Sequence, residues 1–258
     1  MDIWTVRGEA DDGPVLATAI HNGHELRPEV RELHLLDDAT RLREEDPFTD
    51  TWAALGDISV IVHRSRFEMD LNRDLEHAIY LEPADAWGLD LWKRSPPQEV
   101  VRTSRDQYRA YYEMVRGLLE AMSSRWERIV ILDFHSYNHR RNGKHASAEP
   151  QAQNPDINVG THDMDRPRWG YLVDAFIEEL SDCVMNGRRL DVRPNVKFLG
   201  RQFPRWVDGQ FPRACAIAIE VKKIFMDEWT GKPDRSAIGE LTEAFRKTIS
   251  RLKAELTI

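Results

Sequence analysis

The chain has 258 residues, with 44 acidic against 36 basic side chains and a formal net charge of −8. That length suits one large α/β domain, and no low-complexity or Pro-rich linker divides it, so residues 1–258 are read as a single domain. The acidic balance argues against nucleic acid or an anionic membrane as the main partner, and no apolar stretch reaches the length needed to cross a bilayer.

The predicted elements begin with a short apolar strand at 15–20, which runs into His21-Asn22-Gly23-His24-Glu25. A second strand is expected at 58–62. Tyr108, Tyr111, Tyr112, Val115, Leu118, Leu119 and Met122 recur at helical spacing, which predicts a long covering helix over 102–125. The tyrosines of that stripe are read as core. Four aliphatics followed by Asp133 and Phe134 predict a strand at 129–134 buried on both faces and ending at His135. Helices at 168–185 and 236–256 follow, the latter started by Pro233-Asp234, with strands at 196–199 and 216–221 between them. Apolar runs alternating with amphipathic stretches predict a mostly parallel mixed sheet covered by helices.

Two segments between these elements, 64–97 and 136–164, are long and polar. Both leave the carboxyl end of a predicted strand, where α/β sheets place their sites. His139-Arg140-Arg141 with Lys144 forms a local basic cluster, read either as a solvated loop or as a positive rim for an anionic substrate. Cys183 and Cys215 are far apart and in no CxxC pattern, so neither a disulfide framework nor a cysteine zinc site is supported. With no export signal in Met1-Asp2-Ile3-Trp4, a cytoplasmic, soluble protein is expected.

Two histidines delivered by separate strands to one sheet edge suit a metal site. His21 and His24 converge on one ion if the chain turns at Gly23, and His135 adds a third ligand, leaving a fourth position open as catalytic zinc sites require. Glu45 or Asp46 is the alternative third ligand. Glu220 ends an aliphatic strand, where an ionisable group is unexpected unless it serves a site, and it is the candidate general base. Arg66 and Arg73, with Asn72 beside the second, suggest a clamp for a carboxylate or a developing oxyanion.

His21-Asn22-Gly23, Glu45-Asp46, Ser65-Arg66, Asp70-Leu71-Asn72-Arg73, Asp133-Phe134-His135-Ser136 and Glu220, taken in order, resemble the N-formylglutamate amidohydrolase family. The resemblance runs from about residue 14 to about residue 230. Asp70-Leu71-Asn72-Arg73 and His135-Ser136-Tyr137 are also similar to elements of the zinc carboxypeptidases, which share this kind of sheet and one catalytic zinc. The resemblance implies that His21 and His135 bind one zinc ion and that Glu220 serves as base and acid. It implies that Asn72 and Arg73 hold the substrate carboxylate or polarise the scissile carbonyl. His24 falls where the carboxypeptidases place a glutamate ligand, and Asp46 looks like an acidic position of the amidohydrolases. The implied activity is hydrolysis of the amide bond of a small N-acyl amino acid, N-formyl-L-glutamate or a similar acidic one. A carboxypeptidase-like peptide or amide hydrolase is the alternative, and a non-catalytic ligand-binding relative is a further one.

Overall fold

The most apolar run of the sequence becomes the middle strand of a seven-stranded sheet. In the computed structural model, which describes residues 2–161 and 164–256, that strand is β4 (Ile129–Tyr137). In chain order the other strands are β1 (Trp4–Arg7), β2 (Val15–Ala19), β3 (Ile58–Val62), β5 (Ile157–Gly160), a two-stranded hairpin β6 (Val184–Met185) and β7 (Arg188–Arg189), β8 (Val192–Pro194) and β9 (Ala214–Lys222). The sheet order is β1-β3-β2-β4-β9-β5-β8. β3, β2, β4 and β9 run parallel, while β1 is antiparallel to β3 and β5 to β9. This is the mostly parallel mixed α/β sheet expected from the alternation of apolar runs and amphipathic stretches.

The helices are α1 (Pro28–Leu33), α2 (Asp38–Glu44), α3 (Thr49–Ala53), α4 (Gln98–Arg125), α5 (Arg166–Asp182), α6 (Gln202–Gln210) and α7 (Arg235–Leu256). They divide into two layers because successive strand residues point to opposite faces. Val130, Leu132 and Phe134 pack with Trp52 of α3, Phe176 of α5 and Phe245 of α7. Ile129 and Ile131 pack with Tyr111 and Val115 of α4 and Phe203 of α6. Trp52, fully buried against Phe225 and Phe245 with centroids 4.9 and 5.4 Å away, pins the first layer. Truncating it to alanine is expected to cost about 3–5 kcal/mol.

The tyrosine stripe of α4 is core, and it also reaches toward the long loop. The hydroxyls of Tyr112 and Tyr108 donate to the carbonyls of Leu71 and Arg73, at 2.7 and 2.8 Å. The loop 64–97 also carries its own small core of Phe67, Tyr80, Ala86 and Leu91. A helix therefore fixes the backbone of the segment that bears Asn72 and Arg73.

The segment 136–164, expected to lie between elements, holds the end of β4 and all of β5, and two further expectations change. Residues 196–199 are not a strand: β8 ends at Pro194, Asn195 turns with φ 54°, and the Asn158 side chain accepts from the backbone N–H groups of Val196 and Lys197 at 3.0 and 2.8 Å. A side-chain acceptor replaces the strand partner. The helix expected to reach 185 stops at Asp182, and Val184–Met185 joins the small hairpin. The start of α7 is as expected, with Asp234 accepting from the N–H groups of Ser236 and Ala237 at 3.0 and 3.1 Å.

Candidate active site

β4 does not stop at His135 but continues to Tyr137, because β9 pairs with it through Lys222. His135 is therefore held inside a strand. Counting alternate residues from Ile131 puts Asp133 and His135 on the α4 and α6 face, and counting from Ala216 puts Glu220 on that same face. Register then makes His135 and Glu220 neighbours across the pair.

His21 follows β2, which lies on the other side of β4. Its Nδ1 is 3.1 Å from Nδ1 of His135. The third member of the group is Asp46, whose Oδ2 lies 3.1 Å from His135 Nδ1 and 3.4 Å from His21 Nδ1. Asp46 reaches this point from the loop after α2 because its backbone N–H donates to the carbonyl of His21 at 3.0 Å. Ser136 Oγ donates to its other oxygen at 3.0 Å. One ligand atom each from His21, Asp46 and His135 lies within 4.8 Å of the others, and all three residues are buried.

The far side of each imidazole is also held. His21 Nε2 meets Asp70 Oδ1 at 2.7 Å, and His135 Nε2 meets Asp133 Oδ2 at 2.8 Å. Asp133 in turn accepts from Thr18 Oγ1 at 2.6 Å, and Asp70 from the Tyr80 hydroxyl and from Arg66 Nη2, the latter at 3.0 Å. A carboxylate behind each ring places the ring proton on Nε2 and aims the Nδ1 lone pair inward. Two such lone pairs 3.1 Å apart beside a carboxylate repel each other unless a proton or a cation lies among them. The donor set of two imidazole nitrogens and one carboxylate oxygen fits a divalent transition ion such as zinc.

The charges follow from this packing. Burial works against the imidazolium of His135, but Asp133 and Asp46 outweigh it and raise its pKa well above the usual value. Burial likewise opposes ionisation of Asp46, and hydrogen bonds from His135 and His21 hold its carboxyl well below the carboxylate range. Glu220 has no such rescue. Burial pushes its pKa up to about 7, opposed by the charges of His135 and His21, which puts it in the range of a working general base.

His21, His135, Glu220, Arg66, Asn72 and Arg73 all line one cavity of about 80 Å³. His24 does not join them. Its Nδ1 is bonded to Glu45, and Arg41 lies 3.3 Å from its Nε2, so the expected third ligand is turned away from the other two histidines. Glu45 is committed elsewhere as well, accepting from Ser65 Oγ and from Arg41 at 3.4 Å. Gly23 is not a left-handed hinge. A Cβ there would sit 2.2 Å from the backbone carbon of His63, so the glycine serves a close approach of two chain segments. That approach carries His24 alongside the 63–65 backbone.

The clamp residues are braced. Arg66 bonds to Asp70 and, at 3.3 Å, to the Tyr80 hydroxyl, while Arg73 donates to the carbonyl of Asp85 at 2.7 Å. Asn72 Oδ1 accepts from the backbone N–H of Phe203 at 3.2 Å, which ties the clamp to α6. Of the basic cluster, Arg140 pairs with Asp227 at 2.9 Å, and Arg141 lines the cavity while pairing with Glu44 at 3.1 Å.

Asp70, Asp133 and Lys223 were missed as site residues. The signal for Asp133 was present, since an ionisable residue inside an aliphatic strand is the same anomaly that singled out Glu220. Lys223 is buried, donates to the carbonyls of Arg43 and Glu45 at 2.6 and 2.8 Å, and so clamps the backbone just before Asp46. Burial lowers its pKa to about 8.

A mostly parallel α/β sheet brings two histidines and a glutamate together, beside a buried aspartate and two arginines, as a candidate metal site. The chain belongs to the N-formylglutamate amidohydrolase family, whose sequence model matches residues 13–226. Its fold is similar to that of the N-formylglutamate amidohydrolase from Ralstonia eutropha, with a TM-score of 0.77 at 17% identity over 98% of both chains. A gene product of Agrobacterium tumefaciens matches at a TM-score of 0.67 and 18% identity, over 97% of this chain and 96% of that one. A metallo-carboxypeptidase from Burkholderia cenocepacia matches at a TM-score of 0.42 and 16% identity, over 98% of this chain and 61% of that one. A comparison with curated proteins finds no match. No helix among the described residues is long and apolar enough to cross a membrane.

Proposed function

We propose that this amidohydrolase uses one divalent ion, zinc, to cleave the amide bond of a small N-acyl amino acid, with N-formyl-L-glutamate or a similar acidic one as substrate. The observation that carries the reading is the convergence of His21 Nδ1, Asp46 Oδ2 and His135 Nδ1 beside Glu220. His21, His135 and Asp46 would hold the ion, with Asp46 in the place expected of His24. When bound, the ion would polarise the acyl carbonyl and lower the pKa of water at the site.

The remaining work falls to the chain's own side chains. Glu220, with its raised pKa, takes a proton from the attacking water and returns it to the leaving amine. Arg66 presents a guanidinium to the cavity and offsets negative charge on the acyl oxygen. Asn72 and Arg73 orient the substrate carboxylate. Asp70 and Asp133 keep both imidazoles in one tautomer.

The test is metal content by elemental analysis, with formate release from N-formyl-L-glutamate followed in parallel. About one zinc per chain, lost together with formate release in His135→Ala, is expected. A metal-free protein that still releases formate would overturn the reading.

A further inference from the structure

A second cavity adjoins the first. Asn72, Arg73, Phe198, Arg201 and Glu220 line both, so Glu220 stands on their common wall. The two differ sixfold in size, about 80 Å³ for the inner one and about 480 Å³ for the outer. The inner volume holds a few water-sized groups, enough for a small acyl group at the reacting centre. The outer volume falls in the range of about 300–1,000 Å³ typical of pockets for drug-sized ligands. A single amino acid does not need that much room.

The charge of the outer cavity is opposite to that of the protein. The chain carries a net −8, yet the outer wall bears Arg73, Lys197, Arg201 and Arg205, against Asp74 and Glu220. Lys197 is engaged, 2.9 Å from Glu149, and Arg73 is braced on Asp85. Arg201 differs from these. It is exposed, and among the described residues no hydrogen bond or ion pair engages its guanidinium. A planar fork whose donors engage none of the described residues, on the shared wall of the inner cavity and a larger cationic one, is suited to a carboxylate.

Resting on the amidohydrolase reading above, we propose that the outer cavity is a binding site for an extended amine half, so that the substrates include N-acyl dipeptides. The free C-terminal carboxylate of the dipeptide pairs with Arg201. Asn72 and Arg73 then hold the acidic side chain of its first residue. The acyl group stays in the inner cavity, whose remaining lining includes Glu44, Asn138, Arg141 and Lys223.

The experiment compares N-formyl-L-glutamyl-glycine with its C-terminal amide, in wild type, Arg201→Gln and Arg201→Lys. The wild type is expected to favour the free acid by about tenfold or more in kcat/KM, Arg201→Gln to lose that preference, and Arg201→Lys to keep part of it. Calorimetric binding of L-glutamyl-glycine and its amide, which needs no turnover, is expected to show the same pattern. An equal preference for acid and amide in the wild type overturns the proposal, even if N-formyl-L-glutamate is hydrolysed. A preference that survives in Arg201→Gln also overturns it. If binding discriminates as expected but no N-formyl compound is cleaved, the site stands and the amidohydrolase reading fails.

Discussion

The Nδ1 atoms of His21 and His135 face each other at 3.1 Å, and a carboxylate holds the Nε2 of each ring from behind. His21 follows β2, His135 lies in the adjacent parallel strand β4, and the third group beside them is Asp46. Asp46→Ala is therefore expected to abolish stoichiometric zinc while His24→Ala retains it. Elemental analysis of both variants decides the matter, and the reverse result would return the third position to His24.

Glu220 shares a rung with His135 but lies outside the proposed ligand group. Glu220→Gln keeps the shape and removes the proton acceptor. Its zinc content should match the wild type, and its kcat on N-formyl-L-glutamate should fall by about 10²–10⁴-fold, the usual worth of a positioned general base. A variant that binds metal and turns over near the wild-type rate would assign the base elsewhere.

Asp133 and Asp70 each hold one histidine ring from behind, and Asp70 also accepts from Arg66 and from the Asn72 backbone N–H. Asp133→Asn and Asp70→Asn should weaken zinc binding by about 10–100-fold. Competition with a chromogenic chelator measures this directly. Unchanged affinity in both would mean that the rings are held by packing alone.

His34 offers a pH test away from the candidate metal site. Its ring lies between Phe67 and Trp92, with centroids 5.9 and 5.6 Å away, and burial, aided by the charge of Arg41, lowers its pKa to about 4. The unfolded chain, with a value near 6.5, then binds more protons than the folded one between pH 4 and 6.5. Stability rises with pH across that window and falls as the protein is acidified through it. Wild type should lose on the order of 2 kcal/mol there through this group, and His34→Phe should flatten that part of the pH profile of Tm. Identical slopes for the two proteins would remove His34 as the cause.

Much of this protein was legible in the sequence. Period and hydrophobicity place β2, β3, β4, β9 and the three long helices, because a buried parallel strand or an amphipathic helix must show its burial in its own residues. The same logic marks Glu220, and the expected strand ends point to His21 and His135, although β4 runs on past His135 to Tyr137. Short elements such as α3, β5 and β8 escape it, since three to five residues hold too little pattern to read.

The third member of the histidine group is the clearest case of what only the tertiary structure decided. His24 is three residues from His21 and Asp46 is 25 away, so chain proximity favours the histidine. Folding reverses this. Gly23 lets the chain lie against the 63–65 backbone, where Arg41 and Glu45 take up the His24 ring, while the backbone bond from Asp46 to His21 and the Lys223 clamp on Arg43 and Glu45 bring the distant carboxylate in. The sequence by itself determined which strands carry the histidines and the glutamate, because burial writes a local pattern. The partners that orient those side chains are nonlocal, held by single hydrogen bonds between segments far apart in the chain, and they leave no periodic trace.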